Sequence, residues 1–214
     1  MLIDPSRKIS TPARIAAAGV ALVSMLAVVL QYALILVAPD NGGALAATVR
    51  FFSYFTILSN LGVIAVWGAA ALGHGTWWQS ARVRGAVALA IAITGLVYVT
   101  VLAGLWQPQG LQWWVDNALH RVVPVLYLAW WGLGVAHGRL DGRDVLWWLL
   151  FPLGYVAWVF ARGSLVHEYP YPFLDLALHG VGGVVRNALV VTLLFVLIGT
   201  LLVGVDRLLG RRQR

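Results

Sequence analysis

Cysteine is absent from the 214 residues. That excludes disulfides, thiolate metal sites and a cysteine nucleophile. Charge is scarce: 11% of residues are Asp, Glu, Lys or Arg, against about 25% in a soluble globular domain. No polar stretch is long enough for a soluble domain. Catalytic signatures of soluble hydrolases are missing too. The HEY sequence at His167 lacks the second histidine of a zinc-protease helix, and RGSLV around Ser164 is no nucleophile elbow. What is abundant is apolar: 61% of residues are hydrophobic and mean hydropathy is +0.84. The composition is that of a polytopic membrane protein. Arg7, Lys8 and Arg14 precede an apolar stretch too long for a signal-peptide core, so no cleaved leader is expected.

A membrane-crossing helix needs about 20 apolar residues. Six stretches meet or approach that length, roughly 13–37, 51–72, 85–105, 116–136, 145–161 and 186–206. They are continuous rather than alternating, which selects helices over barrel strands. The fold expected is all-α, one integral membrane bundle of six transmembrane helices over residues 1–214. The fifth span is short and contains Pro152, a residue that kinks helices. With six spans, Arg7, Lys8, Arg14, Arg82, Arg84, Arg139, Arg143, Arg207, Arg211, Arg212 and Arg214 fall on one side. Arg50, Arg121, Arg162 and Arg186 lie at the opposite ends of spans. Positive residues stay inside, so both termini are expected in the cytoplasm of a multi-pass plasma-membrane protein. The net charge of +7 is therefore a topology signal, and no solvated basic surface exists for nucleic acid. Trp77, Trp78, Trp147 and Trp148 fall at the cytoplasmic interface of this map, and Trp106, Trp113 and Trp114 at the outer one, as headgroup-level anchors do.

Most connections are short. The exception is the outward-facing stretch 162–185, where Pro170 and Pro172 favour extended backbone around Tyr169 and Tyr171. The following FLDLALHG can form a short helix before Gly180. No internal repeat is visible. Gly134 and Gly138 make a GxxxG spacing at the end of the fourth span, read as close helix packing.

The polar residues within apolar runs carry the chemistry. Ser53, Thr56 and Asn60 are spaced to form one stripe on a helix face. In DNALHRVVP, His120 lies one turn after Asp116. Both runs cross in the same direction, so the Thr56 hydroxyl and the His120 imidazole reach a similar depth in the outer leaflet, by a rise of about 1.5 Å per residue. A threonine hydroxyl needs a base to become a nucleophile, and neutral imidazole suits that role. Asp116 either orients His120 or caps the helix start, and Asn60, Asn117 or Arg121 could stabilise an oxyanion. Tyr169, Tyr171 and Phe173 would shield or gate the pocket. The bland alternatives are a threonine bonded to the carbonyl one turn back and a histidine snorkelling beside Arg121. The chemical competitor is a zinc site drawn from His120, His167, His179, Asp116, Glu168 and Asp175, but these lack ligand spacing. No metal and no cofactor are expected. His74 and His137 read as plain loop residues at the cytoplasmic ends.

SYFTILSN in the second span, NALHRVVPVLYL in the fourth and YPYPFLD in the last outer loop together resemble a known pattern. The chain resembles the six-span family of the androgen-induced protein and the androgen-dependent regulator of tissue factor pathway inhibitor, with YPYPFLD on its prokaryotic branch. That resemblance implies hydrolysis of fatty acid esters of hydroxy fatty acids by a threonine and a histidine, which fall on Thr56 and His120. The expected partner is thus a membrane lipid or fatty ester substrate. Two alternatives from other classes are a small-molecule or ion transporter, which needs polar residues through the whole bundle, and a non-catalytic lipid-binding protein.

Overall fold

The computed structural model describes residues 11–73 and 77–213. Arg7, Lys8, His74 and Arg214 lie outside the described residues. Among the described residues the chain is all-α, without strands. The helices are α1 (Thr11–Leu36), α2 (Ala44–Phe52), α3 (Phe55–Leu72), α4 (Ala81–Val97), α5 (Gly110–Asn117), α6 (Val123–Gly134), α7 (Gly142–Val166) and α8 (Leu176–Arg212). Five stretches are long and apolar enough to cross a membrane: Arg14–Leu36, Phe55–Leu72, Ala81–Leu102, Gly142–Val166 and Leu176–Arg212.

Three departures from the expected spans matter. The run 51–72 is not one helix: α2 stops at Phe52, Ser53 and Tyr54 form a break, and α3 starts at Phe55. Ser53 and Thr56 therefore share no helix face. At the end of α2 the Ser53 hydroxyl donates back to the Val49 carbonyl at 2.6 Å. Next, α7 covers Gly142–Val166 rather than 145–161, because Asp141 and Asp144 form a capping box at its start and Pro152 does not end it. Last, α8 begins at Leu176, where the Asp175 carboxylate accepts from Ala177 N at 2.8 Å, and turns at Gly180 (φ 62°). Only glycine takes that backbone angle without strain.

Two π-helical turns interrupt otherwise regular helix. Tyr98–Leu102 prolongs α4, and Ala118–Val122 joins α5 to α6, so that helical backbone is unbroken from Gly110 to Gly134. Such wider turns recur at functional sites.

The core lies where α3, α4, α6, α7 and α8 meet, with Trp67, Val63, Val66, Ile91, Val123 and Tyr127 fully buried. In lipid, helices associate by close packing rather than by exclusion of water. A Cβ at Gly85 would lie 2.5 Å from Trp148 Cζ2, so the glycine is what lets α4 seat that ring. Trp148 is consequently buried, its indole N–H donating to Arg82 O at 2.9 Å. It is a packing residue and not the interfacial anchor expected, whereas Trp77, Trp114 and Trp147 are exposed.

One end of the bundle is tied by polar contacts. Arg14 Nε donates to Ala71 O at 3.0 Å, and Arg82 pairs with Asp144 at 2.5 Å. Asp206 of α8 accepts from the backbone N–H of Gly138, Arg139 and Leu140, each at 2.9 Å, and meets His137 Nδ1 at 3.0 Å. His137 is thus buried in a polar knot and is no plain loop residue. Gly138 lies beyond the end of α6 and packs on Gly210 of α8. The Gly134–Gly138 spacing consequently marks no shared helix face.

Candidate active site

Thr56 stands in the first turn of α3, immediately after the break at Ser53 and Tyr54. That position decides what its hydroxyl can do. Thr48, Thr94, Thr100, Thr192 and Thr200 each donate to the carbonyl four residues back. For Thr56 that carbonyl belongs to the other side of the break, and the hydroxyl turns instead to His120, with Oγ1 3.1 Å from Nε2. The break is held from α7: Tyr155 donates to Ser53 O at 2.8 Å, and Trp158 Nε1 to Ser53 Oγ at 3.0 Å.

His120 lies within the π-helical turn after α5. Its Nδ1 is 3.0 Å from Asp116 O and 3.3 Å from Asp116 Oδ1. With acceptors on that side, Nδ1 carries the hydrogen and Nε2 presents a lone pair to Thr56. Asp116 stands in the last turn of α5, against the ring; it does not cap a helix start. The carboxylate is buried, and its second oxygen accepts from the Tyr98 hydroxyl. Tyr98 also stacks on the imidazole, ring centroids 4.2 Å apart at 16°.

On its other side Thr56 faces a cavity of about 150 Å³ between α4, α7 and α8. Ile93, Leu149, Leu153, Val191 and Phe195 are among its walls, and no charged side chain lines it. Thr56 is therefore the partition between an apolar chamber and the imidazole, which does not line the chamber.

The roof is the segment between α7 and α8. Tyr171 is buried, with its hydroxyl 3.4 Å from Thr56 Oγ1 and accepting from Thr56 N at 3.3 Å. Burial pushes its phenol above the ordinary value, although the Thr56 bonds pull the other way, so it is a neutral hydroxyl at neutral pH. Phe173 stacks on Tyr171 at 5.4 Å. Glu168 pins the segment, pairing with Arg50 at 2.6 Å and Arg162 at 2.5 Å. Burial raises the Glu168 carboxyl, but the two arginines outweigh it and hold it below the ordinary value. Tyr169 is elsewhere: its ring fills the space left by Gly163 and packs near Phe160, and it does not line the cavity.

The expected oxyanion donors are otherwise engaged. Asn60 Nδ2 donates to Thr56 O at 2.8 Å and to Leu119 O at 3.3 Å, tying α3 to the π-helical turn. Asn117 is bonded to Trp113 O, and Arg121 donates to Asn117 Oδ1 at 2.7 Å; neither reaches Thr56. What does reach it is Tyr171; at the N-terminus of α3 the Thr56 N–H is bonded to that same hydroxyl, and those of Ile57 and Leu58 to the Tyr54 carbonyl. Of the six acidic and histidine residues of the zinc alternative, Asp116 and His120 meet, but among the described residues no three His, Asp or Glu come together. Tyr98, Tyr155 and Trp158 had no signal in the sequence, because each acts on a partner distant along the chain.

Comparison with family models, curated proteins and solved structures finds no match.

Proposed function

We propose that the protein is a membrane-embedded lipid ester hydrolase in which Thr56 is the nucleophile and His120 the base. One observation carries this reading: the Thr56 hydroxyl bridges a histidine 3.1 Å away and an apolar cavity. As Thr56 Oγ1 attacks the ester carbonyl carbon, His120 Nε2 takes its proton. The bond to the alcohol breaks, that proton passes to the departing oxygen, and Thr56 is left acylated. Water then repeats the sequence with His120 as base, releasing the fatty acid and returning the proton to Thr56. The charge that develops on the carbonyl oxygen meets the Tyr171 hydroxyl and the positive end of the α3 dipole. These steps use no metal and no cofactor.

The topology that fits is six spans, the helical stretch Gly110–Gly134 supplying one of them, with both termini cytoplasmic in the plasma membrane. The site then lies near the outer leaflet, where lipid reaches it laterally and water from the interface. A cavity without charge suits a neutral ester with an apolar acyl chain, and fatty acid esters of hydroxy fatty acids are the substrates that the sequence resemblance implies. A transport path would have to continue past Val63, Val66 and Trp67 of α3 and Tyr127 of α6, all fully buried in packed core.

The test is labelling of the full chain in detergent by a hydroxyl-reactive fluorophosphonate probe. Wild type should label and Thr56→Ala should not. Labelling that survives Thr56→Ala removes Thr56 from the nucleophile role.

A further inference from the structure

Tyr98 belongs to none of the roles so far assigned, yet it touches two members of the site. It opens the π-helical turn at the end of α4 and is buried. Its hydroxyl donates to Asp116 Oδ2, and its ring lies over the His120 imidazole, centroids 4.2 Å apart at 16°. The Arg121 guanidinium lies 5.4 Å from the centroid of the same ring. Asp116 is 2% exposed, and a buried carboxylate is tolerated only when its oxygens are satisfied. Tyr98 takes one oxygen; the other lies 3.3 Å from His120 Nδ1. The imidazole is then held by Asp116 at one nitrogen, by Thr56 at the other and by Tyr98 across its face. Gly95 makes the approach possible, since a Cβ there would lie 3.2 Å from His120 O.

We infer that Tyr98 is a positioning residue for the proposed hydrolysis, holding Asp116 and the His120 ring so that Nε2 stays aimed at the Thr56 hydroxyl. The inference rests on the hydrolase reading. Its contribution grows along the reaction. When His120 takes the threonine proton, the ring becomes a cation stacked on an aromatic face and beside an anchored carboxylate. An interaction stronger in the transition state than in the ground state appears in kcat rather than KM.

The experiment compares Tyr98→Phe, Asp116→Asn and the double variant, full-length in detergent, by hydrolysis of p-nitrophenyl octanoate, with Thr56→Ala as the blank. Tyr98→Phe keeps the ring and removes the hydroxyl, so kcat should fall about tenfold with KM unchanged. Because the hydroxyl acts through Asp116, the double variant should be no slower than Asp116→Asn alone, the non-additivity of residues that act as a unit. Tyr98→Ala removes the stack as well and should lose more than Tyr98→Phe. Melting temperatures are measured in parallel, and rates are compared below the lowest transition. Wild-type kcat in Tyr98→Phe, or losses that multiply in the double variant, overturns the inference while leaving the hydrolase reading standing. A wild type no faster than Thr56→Ala overturns the hydrolase reading itself, and this inference with it.

Discussion

Replacing Asp116 by asparagine should slow the proposed hydrolysis by about a hundredfold, not by the roughly ten-thousandfold that the same change costs in a serine triad. In such a triad the acid alone holds the histidine tautomer. Here Nδ1 has two acceptors, Asp116 Oδ1 at 3.3 Å and the backbone carbonyl of the same residue at 3.0 Å. The closer acceptor survives the substitution, so the hydrogen stays on Nδ1 and Nε2 stays open to Thr56. What is lost is the anion beside the imidazolium formed during attack. A hydrogen bond to a charged group is worth about 1.5–3 kcal/mol, and about 1.4 kcal/mol is tenfold in rate. The hundredfold figure follows from the upper part of that range, because the carboxylate is 2% exposed and poorly screened. The assay is kcat for a fatty p-nitrophenyl ester, with the rate of fluorophosphonate labelling as a measure of the first step alone. A loss of ten-thousandfold or more would refute the claim that the backbone carbonyl holds the tautomer. No loss at all would take Asp116 out of the machinery.

Other expectations concern the supports of the site. Asp206→Ala strands three backbone N–H groups and His137 in the interior. Thermal unfolding in detergent should show it destabilised by about 3–5 kcal/mol, while Asp206→Asn, which keeps an acceptor, should lose well under that. Glu168 has its carboxyl held low by Arg162 and Arg50 despite burial. Its contribution is therefore fully present above the ordinary glutamate value of 4.5 and is lost as pH falls through the lower folded value. Protection factors of the 167–174 amides, taken relative to intrinsic exchange at each pH, should thus hold from neutral pH to about that value and fall in stronger acid, and Glu168→Gln should lower them at neutral pH. Gly163→Ala places a Cβ 2.2 Å from Tyr169 Cε1, an overpacking expected to cost about 1–3 kcal/mol. Adding Tyr169→Ala should recover part of the lost melting temperature; a single variant as stable as wild type would show that the ring is not seated there.

The residue order by itself determined the all-α class, the apolar stretches and the choice of Thr56 and His120 as the residues to test. These are local properties: continuous hydrophobicity demands helix in lipid, and a hydroxyl or imidazole in such a run stands out because its neighbours cannot solvate it. The tertiary structure decided which polar group is free to react and what surrounds it. Ser53 and Thr56 look alike in a stripe, but the break at Ser53 and Tyr54 consumes one hydroxyl and releases the other. Asn60 suits an oxyanion by type, and its amide is spent on two backbone carbonyls. Tyr171 stands out in the sequence through its Pro-flanked loop and Tyr98 does not, but the contacts of both, with Thr56 across 115 positions of chain and with Asp116, are visible only in the packed bundle. His137 differs from a loop histidine chiefly through Asp206, 69 positions away. Period and hydropathy report what a residue's own turn does. A hydrogen bond between helices depends on where each helix starts, where a π-helical turn rotates it and what a glycine lets approach, and those are settled only when the bundle packs.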